Sequence, residues 1–532
     1  MTKIVADLQV KIEALEKDLA AKDALLRYYE EQFRLGKQRQ FGPSRETTPA
    51  PDQINLFNEA EVLASPNAPE PSFEEEKTEE EAKPHRKPRI KPKGKRVADL
   101  KGLPINRIEH RLPEEDQFCP CCSGPLHEMS FQIHREVRVI PASVEVDEHA
   151  QCIYSCRQCE LNEIKTPIVV APMPTPVIPH SLASASAISH VIVQKYVEGL
   201  PLYRQEQQFE RFGIPFSRQN MANWIIIVSE SWMKPLYDRM HKLLLLRDIL
   251  HADETPFQVL NEPGRKATTN SYMWLYRTGR EGPSIVLYEY KPTRSGENPK
   301  RFLNGFTGYI HVDCYAGYNK LPSNITLVGC WAHARRYFVD TYKALPQDAV
   351  DKKSTLAYKG IEFCDSLFDV ERSLKEKTPQ ERMENRQKLS QPILDQFKNW
   401  LDYECLHTLP KSAIGKAVNY CLNNWDKLKN FMLDGRLELD NNRGERSIKP
   451  FVIGRKGWLF SASVKGATAS ATLYSIVETA KENGMNPFYY LEYILERLPN
   501  IDTTDVSALD ALLPWSESLP GKCRMPYKHP VE

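Results

Sequence analysis

Two stretches, DILHADETPFQVL at 248–260 and GYIHVDCYAGY at 308–318, decide how this chain folds. Each reads as a strand and sets an aspartate among apolar neighbours: Asp253 follows Ile249, Leu250 and Ala252, and Asp313 follows Ile310 and Val312. A carboxylate inside such a run is costly unless it is paired or holds a metal. Taken singly, either aspartate reads as a turn cap. Taken together, strand-borne aspartates on one sheet face can share divalent cations about 4 Å apart, which activate the attacking oxygen and stabilise the leaving one in phosphoryl transfer. Magnesium, or manganese in its place, suits such hard oxygen ligands.

Working outward, SYMWLYR (271–277), SIVLYEY (284–290) and ITLVGCWAH (325–333) add strands or strand edges, so 248–339 reads as the first part of an α/β core. Helical patterning then runs through FCDSLFDVERSLKEK, ERMENRQKLSQPILDQFKNWLDYE and AIGKAVNYCLNNWDKLKNFM, a helical insertion over 340–438. This insertion either clamps DNA, contacts a second subunit, or forms a scaffold on one side of the core. The second part of the core, 439–495, opens with LDNNRGERSIKPFVIGRKGWLFS. There Asp440 or an adjacent Asn caps a short helix bearing Glu445, the third carboxylate the chemistry needs. Arg446, Lys449, Arg455 and Lys456 stand beside it as candidate contacts for a DNA backbone, or as a surface salt-bridge set. Residues 496–532 read as a C-terminal tail.

Before the core lie four further segments. Val5, Ile12, Leu19, Leu26 and Phe33 fall seven apart, with Leu8, Leu15 and Tyr29 on a second seam broken by Lys22, so 1–40 reads as a coiled-coil helix that self-associates. Residues 41–103 are proline-rich and poor in large apolar side chains, a disordered linker with an acidic block (70–81) and a basic one (83–96). The basic block is an arm for phosphate contacts or a solvated linker. A module over 104–172 holds Cys119 and Cys122, then Cys156 and Cys159, two CxxC pairs suited to structural zinc; REVRVI and SVEVDEH between them read as strands, and Cys121 and Cys152 are spare thiols. Residues 180–247 are helical: a Gly-Ile-Pro turn at 213–215 and a second helix capped by Ser217 resemble a helix-turn-helix, with a plain helical hairpin as the other reading.

Composition bounds the rest. With 532 residues, 41% hydrophobic, 27% charged and a net charge of +1, the chain is sized for several domains, and its charge alone names no partner. Its charged start lacks a signal-peptide core and its apolar runs are too short to span a bilayer, so a cytoplasmic, nucleoid-associated protein without a membrane role is expected. A phosphate-binding G-x-x-x-x-G-K-[ST] loop and an H-E-x-x-H pair are both missing, which argues against a nucleotide-driven machine and a zinc protease.

The motifs HADET, HVDCYAGYN, CWAHARRYF and DNNRGERSIKPFVIGRKGWLF, in this order, resemble the transposases of the insertion-sequence-66 family, of the DDE type. The resemblance extends to the heptad helix, FGPSRE, the two cysteine pairs and LLPW near 515, and so covers essentially the whole chain; the extra Cys121 and Gly457, where Asn is more usual, are its departures. It implies a ribonuclease-H-like core in which Asp253, Asp313 and Glu445 are catalytic and hold the metal, with Arg335 and Arg336 near DNA and Trp331 and His333 in supporting places. It implies a transposase that cuts and joins DNA as a homodimer or higher oligomer, with accessory proteins of the same element. A ribonuclease-H-like nuclease without strand transfer, and an inactive zinc-containing DNA-binding protein, are the alternatives.

Overall fold

A computed structural model describes residues 143–155, 168–345 and 352–526, together with the isolated helical positions Lys22, Tyr29, Glu30 and Phe33. The coiled-coil seams, the linker and the four paired cysteines otherwise lie outside the described residues. The chain divides into two units, 46–147 and the remainder. Over 143–149 the expected strand is not formed: these residues are irregular and exposed, with no ladder partner among the described residues. Pairing begins further along, where the Cys152 carbonyl accepts from the Ala171 amide and β1 (Ile153–Ser155) runs antiparallel to β2 (Ile168–Val170).

Four helices precede the core: α1 (Ala185–Tyr196), α2 (Leu202–Arg211), α3 (Arg218–Val228) and α4 (Lys234–Leu244), the last two joined by a π-helical turn at Ser229–Met233. Ser217 caps α3 as its sequence foretells, its hydroxyl accepting from the Asn220 amide at 3.1 Å. Met221, Trp224, Ile225 and Val228 are buried, so α3 packs one face into the core while Arg218, Gln219 and Asn220 stay exposed at its start.

The core is a six-stranded mixed sheet. Strand β3 (Ile249–Asn261) pairs antiparallel with β4 (Asn270–Thr278), which pairs antiparallel with β5 (Val286–Lys291). After α5 (Glu297–Phe302), β6 (Gly308–Val312) returns parallel to β3, and β7 (Ile325–Gly329) parallel to β6. The spatial order is therefore β5-β4-β3-β6-β7. Gly308 sets the start of β6: its φ is +134°, and a Cβ there would fall 2.3 Å from the Asp248 carbonyl. That carbonyl instead accepts from the Tyr309 amide at 2.8 Å, which locks β6 in register with β3.

Helix α6 (Trp331–Lys343) leads into the insertion, α7 (Leu356–Ser373), α8 (Pro379–His407), α9 (Ala413–Asn423) and α10 (Trp425–Lys429). The insertion shares an apolar core with the sheet side: Val328 and Trp331 pack with Phe338, Phe397, Leu401 and Leu428. It is fastened by Arg386, which is fully buried and forks onto Glu371 (both bonds 2.7 Å) while donating to the carbonyls of Phe431, Asp434 and Leu437.

The chain then re-enters the core through α11 (Asn442–Trp458), β8 (Phe460–Ser463) and α12 (Val464–Glu482). Strand β8 extends the sheet beside the far half of β3. Helix α12 closes the β5 edge: Ser475 and Thr479 accept from the amides of Tyr288 (2.8 Å) and Val286 (3.0 Å). The expected C-terminal tail is instead part of the fold. After α13 (Pro487–Arg497), α14 (Val506–Asp510) and the turns beyond it bury Leu509, Leu512, Leu513, Leu519 and Cys523. Asp510 takes a forked bond from Arg239 of α4, at 2.7 and 2.8 Å. Four leucines at close spacing are a helix-packing signal rather than a solvated end.

Arg386→Ala would leave Glu371 and three carbonyls without their shared donor. A loss of about 3 kcal/mol is expected, read as a lower urea midpoint and earlier proteolysis within the insertion; an unchanged midpoint would show that the staple is dispensable.

Candidate active site

Residues Leu250 and His251 of β3 lie opposite Ile310 and His311 of β6 in the parallel ladder. Side chains alternate along a strand, so Asp253, two beyond His251, and Asp313, two beyond His311, belong to one sheet face and equivalent heights on neighbouring strands. The two histidines below them are fully buried and stacked, with ring centroids 4.4 Å apart. Asp253 is half-buried in the middle of β3, where one of its carboxylate oxygens accepts from the Glu254 amide at 2.8 Å. Asp313 follows the end of β6; it accepts from the Tyr315 amide at 2.9 Å, and its carbonyl from the Tyr420 hydroxyl of α9 at 3.1 Å. Cys314 between them has φ +68°, the left-handed turn that takes the chain away from the sheet.

Glu445 arrives from the other side, in the first turn of α11. The helix is seventeen residues long rather than short, and it carries Pro450 within it. Asn441 sets its position. This side chain is fully buried; its Oδ1 meets His251 Nδ1 at 2.9 Å, its Nδ2 donates to the Ala252 carbonyl at 2.8 Å, and its backbone amide donates to Cys330 Sγ at 3.2 Å. The side-chain amide of Asn441 thus ties the Glu445 helix to the strand of Asp253, and its backbone amide ties it to the start of α6. Asp440 accepts from the Asn442 amide at 2.9 Å and so helps cap the helix; burial pushes its carboxyl up to about 6.

The carboxylates feel one another. Burial, then Glu254, Asp313 and Glu445, raises the Asp253 carboxyl well above its ordinary value. Glu445 lies 3.5 Å from His333 Nδ1 and 3.8 Å from Arg336 Nη2, while its own buried Oε1 has no hydrogen-bond partner among the described residues. Carboxylates gathered beside the raised Asp253 acid, with an orphaned oxygen on Glu445, suit a divalent cation. A second donor set, Cys330, His333 and Glu445, brings its ligand atoms within 4.8 Å. There burial pushes the Cys330 thiol far up, and its sulfur accepts from the Asn441 backbone amide.

The remaining expected residues divide. Arg446, Lys449 and Lys456 are exposed along α11, and Arg336 is about half-exposed on α6. Arg335 instead forks onto Asp365 of the insertion, and Arg455 bonds the Pro256 carbonyl and the Thr255 hydroxyl, so both brace the structure. Trp331 is fully buried, its indole donating to the Leu428 carbonyl at 2.8 Å; it holds the insertion to the core.

Several neighbours were not foreseen. Glu254 is buried beside Asp253 and receives Tyr318 at 2.6 Å and Arg294 at 2.5 and 2.8 Å. The repeated His-x-Asp of HAD and HVD carried a signal for His251 and His311, because a two-residue period puts each histidine on the face of its aspartate. Nothing in local spacing marks Arg294 or Asn441.

This arrangement is an acidic site carried on neighbouring strands and the start of α11. The chain matches the family model described as "Transposase IS66 family" over residues 180–469, the IS66 C-terminal element over 475–515, the zinc-finger binding domain of transposase IS66 over 116–160, and "Transposase C of IS166 homeodomain" over 28–108. It is 32% identical over 426 residues to the uncharacterized protein y4jD of Sinorhizobium fredii (strain NBRC 101917 / NGR234), covering 77% of this chain and 80% of that one. Uncharacterized protein y4hP of the same strain is 27% identical over 425 residues, 76% and 74% of the two chains. The chain belongs to the IS66 family of transposases, with a zinc-finger region and DNA as its partner. No helix among the described residues is long and apolar enough to cross a membrane.

The raised Asp253 carboxyl has a sign that can be read. The fold keeps this proton to higher pH than the unfolded chain does, so its stabilisation is full below the ordinary value of 3.8 and is lost as pH rises through the raised value. Without divalent ions, Asp253→Asn is therefore expected to stabilise the fold near neutral pH by about 1 kcal/mol, with the gain vanishing near pH 4. Thermal midpoints across pH in a chelator test this; a variant less stable than the parent at neutral pH would contradict it.

Proposed function

We propose that this chain cuts the ends of its insertion sequence and joins them to target DNA, using Asp253, Asp313 and Glu445 on a ribonuclease-H-like core. The observation that carries the reading is the pairing of His251 with His311 in the parallel ladder, which sets Asp253 and Asp313 two residues beyond at matching heights, with Glu445 stapled to β3 through Asn441. The sheet order, with three antiparallel strands followed by two parallel ones, supports the ribonuclease-H-like assignment. The three carboxylates would hold two Mg2+ or Mn2+ ions, which when bound supply activation of the attacking oxygen and charge stabilisation of the leaving one. Asp253 and Asp313 would hold the metal and Glu445 would complete the set, with His333 and Arg336, at 3.5 and 3.8 Å, orienting Glu445. In the first step water displaces the 3′-oxygen of a phosphodiester at the element end and frees a 3′-hydroxyl. That hydroxyl then attacks a target phosphodiester, one P–O bond forming as another breaks, with no covalent bond to protein.

The exposed cations Arg336, Arg446, Lys449 and Lys456 would bind DNA backbone beside the site. Zinc would be held by Cys119, Cys122, Cys156 and Cys159, and the heptads of 1–40 would pair two or more copies so that two ends are held together. Accessory proteins of the element and a place on the bacterial nucleoid complete the reading.

Asp253→Asn, Asp313→Asn and Glu445→Gln are each expected to lower magnesium-dependent cleavage and joining by at least about 100-fold; full activity in any one removes that residue. An unlabelled target duplex separates transfer from a nuclease that only hydrolyses: joined products are expected, and cleavage without them would favour the nuclease reading. For the zinc site, the purified protein should carry one zinc per chain by native mass spectrometry and lose it on Cys119→Ser; retention would exclude Cys119 as a ligand.

A further inference from the structure

Arg294 lies between β5 and α5, outside every residue assigned above. Its Nε and Nη2 both donate to Oε1 of Glu254, at 2.8 and 2.5 Å, and Nη2 stands 3.8 Å from Asp313 Oδ2. The guanidinium lies 3.8 Å from the ring centroid of Tyr315, whose hydroxyl donates to the Arg294 carbonyl at 2.7 Å. Side chain and backbone are therefore both held, and the arginine bridges the two strands that present Asp253 and Asp313.

We infer that Arg294 grips a phosphate of the DNA strand being cut, a reading that rests on the active site proposed above. Neutralising Glu254 does not by itself account for the geometry. The Glu254 side chain is 1% exposed, whereas that of Arg294 is 40% exposed. Both bonds to Glu254 go to a single oxygen, so the fork is not spent in the two-oxygen pairing that a carboxylate invites. Nη1 has no hydrogen-bond partner among the described residues. The result is a fixed guanidinium, acid on its inner edge and water on its outer edge, at the rim of a cluster of carboxylates. A phosphodiester approaching Asp253, Glu254, Asp313 and Glu445 meets repulsion unless cations intervene. Arginine, with a planar fork suited to phosphate and already ordered by its aromatic stack, loses little freedom in making that contact.

The test reads binding of the full-length chain to a duplex carrying the terminal repeat of its own element, with calcium replacing magnesium so that turnover is not needed. A second duplex carries a neutral methylphosphonate at the phosphate to be cut. The loss of affinity between the two duplexes is expected to be about tenfold larger for the parent than for Arg294→Met, the signature of a direct contact. Glu254→Gln/Arg294→Met removes both charges, so no buried carboxylate is left alone, and it should show the same reduced sensitivity. Equal losses in the parent and either variant would overturn the inference and leave Arg294 as the counter-charge of Glu254. A parent that binds the end, shows the contrast, and never cuts in magnesium would count against the proposed reaction and not against Arg294.

Discussion

Carboxylates set side by side repel one another, and this fold gathers Asp253, Glu254, Asp313 and Glu445 in one half-sheltered place. Much of the surrounding architecture serves to keep that repulsion from pushing the elements apart. Asn441 is central to it because an amide can donate and accept at once without adding charge. Placed wholly out of water, it satisfies a ring nitrogen, a carbonyl and a sulfur while fixing the direction of α11. Gly444 makes the fit possible: a Cβ there would lie 2.8 Å from the Asn441 side-chain oxygen. Around the acids stands a ring of cations, Arg294 on one side and Arg336 on the other, each close enough to lower the cost of the cluster. Below it, burial works against the charge of Glu438, yet His251, Arg443 and Arg280 hold that carboxyl below its usual range.

The insertion belongs to the same economy of support. Its aromatic core continues into Val328 and Trp331, so α6, which carries His333 and Arg336, is packed from behind by helices that arrive some thirty to a hundred residues later in the chain. Tyr420 reaches from α9 to the Asp313 backbone. Of the three roles open at the level of sequence, the scaffold is the one that these contacts describe, and it leaves the outer faces of the insertion available for others.

Much of this was legible before any coordinates. The strands of the core, the helical character of 340–438 and the Ser217 cap followed from periodicity and capping chemistry, which are local. The aspartates stood out because charge in an apolar run is rare. What escaped was non-local. Asn441 looks like one of two adjacent asparagines ahead of a helix, and only tertiary contact shows that it binds three elements. Arg294 reads as a loop cation, and Arg335 and Arg336 are indistinguishable by sequence although one braces Asp365 and the other stands by Glu445. Residues 143–149 alternate as a strand should, yet a strand exists only with a partner. The end of the chain reads as a tail although Leu509, Leu512 and Leu513 stand at helical spacing, a signal easily lost in so short a segment.

The way α12 seals the β5 edge has a consequence for synthesis. A ribosome delivers β5 nearly two hundred residues before Ser475 and Thr479, so the growing chain carries an uncapped strand through about a third of its translation. Glu445 also emerges late, after both aspartates and the insertion that braces them. A chain that stops before Glu445 therefore lacks the third carboxylate of the cluster. A chain that stops between β5 and α12 keeps that sheet edge open, a template for association with another chain. The order of assembly thus places the edge seal and the third carboxylate among the last parts of the core to arrive.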